Sequence, residues 1–296
     1  MITARNYAAQ VERDMKNWVD QAKKIGRPHK AAEMYFNMIK DAVHFALPDN
    51  GRILNDNLKG LFGKKVRLPY PVITIEYYVH QKPTFTENGI EYQAICPKRF
   101  ALASERKVGE KYVIDLCVVN YISTFSKWLP QPLGFVLDWG EKETFSKDGR
   151  VNISGYPFTV DETAINLLRK KVGDDKAHRM LTDDISDEVS AVLEMCEALT
   201  CGNVSTEPLE KIDVAKQAKR ARQGKLPMYE TRVLTISGEV SGRRDSLGGT
   251  HSSPRQHLRR GHIRRLPKGN IWVNSAVVGN PLKGIIEKSY EIGVGA

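Results

Sequence analysis

Arg255, His257, Arg259, Arg260, His262, Arg264 and Arg265 put five arginines and two histidines into eleven residues, and Lys268 follows. No Asp or Glu occurs between Asp245 and Glu287. A basic surface segment ordinarily alternates signs, which relieves repulsion and adds weak ion pairs. Here the repulsion is left unrelieved locally. The guanidinium fork pairs bidentately with phosphate or carboxylate and is weakly hydrated, so the chemistry this stretch suits is anion recognition. Three readings of it stand side by side: a solvated face, an internal lock against carboxylates of the first 200 residues, or a surface that meets an anionic partner.

The histidines admit a second chemistry. His257 and His262, with His251, have the side chains for acid–base catalysis or metal ligation. No carboxylate lies near them in sequence, and arginines repel cations. Glu76, Asp115 and Asp138 are candidate partners only from afar. The balance falls on binding rather than catalysis, with no metal and no cofactor expected. A weaker nuclease-like pattern is the E-x-K spacing of Glu105-Arg106-Lys107, with Asp49 upstream. The chain has no phosphate-binding P-loop, no dinucleotide fingerprint and no nucleophile elbow.

The net charge of +10 belongs to one region. Lys and Arg outnumber Asp and Glu by 17 to 8 in residues 201–296, but only by 28 to 27 before them. A second basic cluster, Lys216, Lys219, Arg220, Arg222 and Lys225, adds to the first. Charge so localised argues for a nucleic acid or an acidic protein surface as partner. No apolar run nears the roughly 20 residues that span a bilayer, so no membrane partner is expected. The first residues carry no apolar signal core, and Cys96, Cys117, Cys196 and Cys201 form no C-x-x-C pair. Both point to a reducing cytoplasm with buried thiols.

Periodicity supplies the elements that must position these groups. Tyr7, Val11, Met15, Trp18 and Val19, then Ala31, Tyr35, Met38, Ile39, Ala42 and Val43, predict a helical hairpin broken at Gly26-Arg27-Pro28 and ended by Pro48–Gly51. A short helix is expected over Ile53–Phe62. From Val66 the period becomes two. Val72–Val79, Glu91–Cys96, Arg99–Ser104, Lys111–Val118 and Leu133–Trp139 predict an antiparallel sheet, the first strand half-buried. Helices return, one capped by Asp161 and one by Thr182 and ended near Gly202. Lys211–Gly224 reads as a basic helix or linker, and Ser237–Ser253 as a loop.

At the C-terminus, Ser253-Pro254 predicts the start of a two-turn helix stopped by Gly261. His262–Leu266 and Ile271–Val278 are strands around a turn at Pro267–Asn270. Ile285–Ile292 completes a small sheet, which Tyr229–Ile236 joins. The fold class expected is α+β. A helical region spans 1–62, a mixed sheet and helices span 63–205, and a basic α+β module spans 206–296. Trp128, Trp139 and Trp272 are expected in the core.

The run from Ser253 to Pro267, with Ile271-Trp272-Val273, resembles a motif of an uncharacterised family encoded by tailed phages and prophages. Leu193–Leu199 with Asn203-Val204, Gly224–Thr231, Arg67–Pro71 and Glu76–Tyr78 are similar to other parts of that family. The resemblance covers about two thirds of the chain. It implies a phage accessory protein in the host cytoplasm, one that binds and inhibits a host antiviral defence complex, nuclease-type complexes being plausible targets. The implied partner is a host protein complex or nucleic acid, and a homo-oligomer is compatible with it. The resemblance assigns no activity to any residue.

Overall fold

The structure, a computed structural model, describes residues 5–26, 29–53, 67–80, 84–87, 90–93, 97–138, 154–183, 185–209, 211–236, 255–259, 262–273, 276–278 and 280–285. It is an α+β protein whose frame is one eight-stranded mixed sheet. Helices α1 (Tyr7–Lys24) and α2 (Lys30–Asp41) lead into β1 (Val43–Ala46). Then come β2 (Val72–Tyr78), a separate hairpin of β3 (Thr84–Glu87) and β4 (Ile90–Gln93), and the long strands β5 (Lys98–Val108), β6 (Lys111–Ile122) and β7 (Lys127–Asp138). After β8 (Ser154–Thr159) follow α3 (Glu162–Val172), α4 (Asp174–Asp183), α5 (Ser186–Leu199), β9 (Val204–Pro208), α6 (Val214–Arg222) and β10 (Thr231–Ile236). The C-terminal strands are β11 (Arg255–Arg259), β12 (His262–Leu266), β13 (Gly269–Val273), β14 (Ala276–Val278) and β15 (Asn280–Ile285).

The main sheet runs β8-β7-β6-β5-β2-β1-β10-β9. Strands β2, β5, β6 and β7 form the antiparallel set that the alternating pattern predicts, and β8 adds an unexpected edge strand. Glu91–Gln93 of the expected strand Glu91–Cys96 belongs to the separate β3–β4 hairpin instead. Val43–Ala46 departs from expectation. The second helix stops at Asp41, and these four residues form a strand parallel to both β2 and β10. Their β-branched and aromatic side chains suit a pleated interior, and a parallel position between two strands is buried on both faces.

Both faces of the sheet are covered. Ile73, Ile75 and Tyr77 pack with Val192, Met195 and Cys196 of α5 and Ile165 of α3. On the other face Phe100, Leu102 and Trp128 pack with Met15, Tyr35 and Ile39 of the helical hairpin. β2 is therefore buried along both sides rather than half-buried, and Thr74 and Glu76 are inside. Glu76 serves a structural purpose there. Asn6, ahead of α1, makes no side-chain cap, and the Glu76 carboxylate instead accepts the N–H groups of Arg5, Asn6 and Tyr7. Orphan donors at a helix start are thus satisfied by an anion from a neighbouring strand, at the positive end of the helix dipole.

Three further expectations are corrected. Tyr229–Ile236 provides β10 of the main sheet, not a strand of the C-terminal one. α5 begins at Ser186 with Asp187 and Glu188 in its first turn, whereas Asp183 ends α4. Arg255–Arg259 is strand rather than helix. It pairs antiparallel with β14 and parallel with β15, and that pairing overrides the local helix-start signal of Ser253-Pro254. The strand expected over Ile285–Ile292 lies outside the described residues, save Ile285, where β15 ends. The short helix expected after Ile53, Trp139, Cys96, His251 and the loop at 237–253 lie outside the described residues, save Ile53 itself.

Candidate functional site: the basic hairpin and its buttress

β12 and β13 form the expected hairpin, with His262 opposite Val273, Arg264 opposite Ile271 and Leu266 opposite Gly269. The returning strand expected over Ile271–Val278 instead runs Gly269–Val273, and Ala276–Val278 pairs with β11 in another sheet. Pro267 and Lys268 make the turn. Pro267 presets its own φ, and Gly269 takes a φ of 134°, open to a residue without Cβ. Ile263 and Trp272 stand directly across from one another and form a small apolar cluster with Cys201, Val204 and Ile53. One face of the ribbon is therefore fastened to the body. Arg264 is exposed, as are Leu266 and Lys268.

The fastening is polar as well as apolar. α5 ends at Leu199, and the turn after it meets β13 edge-on. Gly202 N donates to the Asn270 backbone carbonyl at 3.0 Å, and the Asn270 side-chain Nδ2 donates to Thr200 Oγ1 at 3.0 Å. Asn203 then stands in for a strand. Its Oδ1 accepts from Trp272 N at 2.7 Å, and its Nδ2 donates to Trp272 O at 2.9 Å. A primary amide carries the donor and acceptor of a peptide unit, so one side chain completes both bonds of a ladder rung. α5 has no basic residue in its last turn, and the basic ribbon docks at that negative end, where the helix dipole favours cations.

No carboxylate of the described residues pairs with Arg264 or Lys268. The acids proposed as distant partners are engaged elsewhere. Glu76 caps α1, Asp115 takes Arg106, and Asp138 takes Lys111 at 2.6 Å. Glu194 of α5, buried, holds Arg52 at 3.0 Å and the Ile53 amide at 2.9 Å. The backbones of Arg255, His257, Arg259, His262 and Arg265 are placed on β11 and β12. His257 pairs with Val278, and His262 with Val273, on two different sheets. Arg260 lies outside the described residues.

The nuclease-like spacing does not converge. Glu105 is clamped by the Arg67 guanidinium and sits beside the start of β2. Asp49 lies beyond the other end of β2, bound to Arg5 and to His80 at 2.6 Å. Desolvation pulls the Asp49 carboxyl upward, but the hydrogen bonds from Arg5 and His80 outweigh it and hold the carboxyl below its usual range. Arg106 and Lys107 pair with Asp115 and Glu110. Among the described residues no group of three His, Cys, Asp or Glu could hold a metal ion. Cys117, Cys196 and Cys201 are buried and form no disulfide, and burial pushes the Cys117 and Cys196 thiols up to about 12. No described helix is long and apolar enough to cross a membrane.

The second basic cluster is carried by α6. Asp213 caps it, accepting from Ala215 N at 2.8 Å. None of its residues is buried. Two polar tethers hold it instead. Gln217 donates to the Met228 carbonyl at 2.6 Å and accepts from the Met228 amide at 3.0 Å, and Arg220 Nε donates to Leu226 O at 3.0 Å. Arg220 is thereby part of the tether, whereas Lys216, Lys219, Arg222 and Lys225 are exposed. The residue the sequence reading missed is Asn203. It stands in a segment that carries the family resemblance, but a lone Asn after a helix reads as a cap or turn residue.

No protein-family model matches the chain, and no curated protein matches it. Among solved structures, the chain aligns with the crystal structure of AcrVA2 at 11% identity and a TM-score of 0.29, covering 93% of this chain and 95% of that one. At that score the likeness carries no argument about fold or function.

Proposed function

We propose that this chain is a phage accessory protein that acts by binding, and that it inhibits a host antiviral defence complex through the surface of the β12–β13 ribbon. The observation that carries the reading is the ribbon's construction. Trp272, Ile263 and Asn203 fix one side to the body, while Arg264 and Lys268 stand in water with no carboxylate of the described residues against them. A rigidly held, unneutralised cation pair presents its charge at little ordering cost, which favours recognition. The phage setting comes from the sequence resemblance, and with it the host cytoplasm as the place of action. Arg255, His257, Arg259, Arg260, His262 and Arg265 extend the proposed surface.

The test is a plating assay in a host that carries a nuclease-type defence system. The expressed chain restores phage plating. Replacing Arg259, Arg260, Arg264 and Arg265 by Gln together abolishes the rescue, with circular dichroism and melting temperature unchanged. Full rescue by a folded quadruple variant contradicts the proposal.

A further inference from the structure

We propose that α6 is a docking helix for the sugar–phosphate backbone of a nucleic acid, separate from the ribbon. A nine-residue helix is marginal alone, and most helices are held by an apolar face. α6 buries nothing, so the core gives no reason for it. Its internal pairs are also unfavourable. Lys216 neighbours Lys219 and Arg220, and Lys219 neighbours Arg222, at the three- and four-residue spacings where like charges repel. No acid lies within the helix, and no described carboxylate pairs with Lys216, Lys219, Arg222 or Lys225. The chain nevertheless holds the helix in one orientation through Gln217 and Arg220.

At about 100° per residue, Asp213, Gln217 and Arg220 share the side tied to the body. Ala215, Ala218, Lys219 and Arg222 fall on the opposite side, whereas Lys216 lies beside Arg220 at the edge of the tethered side. Cations there flank small side chains, so an extended anion can approach the helix closely. Lys216 to Arg222 spans about 9 Å of rise, between two and three nucleotide steps along one strand of a duplex. A protein partner is the poorer match. Protein interfaces centre on a desolvated apolar or aromatic core. Here the one exposed large apolar residue of the helix, Val214, stands at its first position. Backbone binding needs charge alone.

The measurement is fluorescence anisotropy of labelled 20-mers of single-stranded RNA, single-stranded DNA and duplex DNA, titrated with the full chain from 50 to 200 mM salt. The unmodified chain binds at least one of them. K216Q/K219Q/R222Q/K225Q weakens that binding more than tenfold and lowers the slope of log affinity against log salt by about 3, the sum of about 0.7–0.9 per lost contact. A control with the same net charge, K16Q/K23Q/K24Q/K30Q, leaves both in place. Three results overturn the proposal: no binding by the unmodified chain, unchanged affinity and slope in the folded α6 variant, or an equal loss in the control. Loss in R264Q/K268Q alone likewise removes α6 while leaving the ribbon's role standing.

Discussion

His44 is the residue whose chemistry is most altered by its place. It lies inside β1, its Nδ1 2.8 Å from Thr74 Oγ1 and its ring 4.4 Å from that of Tyr229. Desolvation pushes its pKa down to about 4, so the folded chain keeps it neutral. The unfolded chain binds its proton at an ordinary pKa near 6.5. Stability from this group is therefore complete above about 6.5 and lost progressively as pH falls towards 4, an effect of order 3 kcal/mol at about 1.36 kcal/mol per unit. Urea unfolding at stepped pH should show that loss, and His44→Asn, which keeps a partner for Thr74, should flatten the curve in the same window. A slope unchanged in the variant would assign the loss to another group. Asn203 makes an equally specific claim. Asn203→Ala removes both amide bonds to Trp272 and should cost about 1–2 kcal/mol in melting experiments. Amide exchange should quicken across 262–273 but not in β5 or β6. Uniform quickening would mean that Asn203 supports the whole fold rather than the ribbon.

At the scale of elements, α6 and the ribbon adjoin opposite ends of β9. The ribbon meets Cys201–Asn203 just before it, and Leu209, just after it, bonds Thr231, the first residue of β10. Gln217→Ala should loosen α6 alone, with faster exchange over 214–222 and an unchanged melting temperature, since nothing apolar is lost. A fall of several degrees would show that α6 supports the sheet. The elements also mark what local sequence can express. The turn at Pro267–Lys268 and the strands beside it were legible because residue chemistry fixes them. The long strands β5 to β7 were legible from alternation. β1 was not, because four residues after a helix carry too little period to declare a strand, and its partners β2 and β10 are remote in the chain. β11 was misread for the same reason: Ser253-Pro254 signals a helix start, but pairing with β14 and β15 decides the outcome. α5 hid Glu188, Glu194 and Glu197, all buried, behind an apolar stripe that suggested an ordinary one-sided helix. Ala191, Met195 and Ala198 on its other sides were the available sign of burial all round.

On the scale of the whole molecule, charge is segregated. A two-sided core of ordinary composition carries two outlying basic elements, and neither ribbon nor α6 is needed to close the sheet's hydrophobic faces. The basic stretch was conspicuous in the sequence. Its attachment was not, because Asn203, Thr200 and Gly202 lie some 70 residues from Asn270 and Trp272. Lysine labelling with an acylating reagent, read by mass spectrometry, tests the central claim most directly. In the free chain Lys268 should react as fast as Lys216 and Lys219, since all three stand in water. Adding a purified defence complex that the chain inhibits should protect Lys268, and replacing Arg264 by Gln should restore much of its reactivity. Lys268 labelled equally in the free chain and in the inhibited complex would contradict the account.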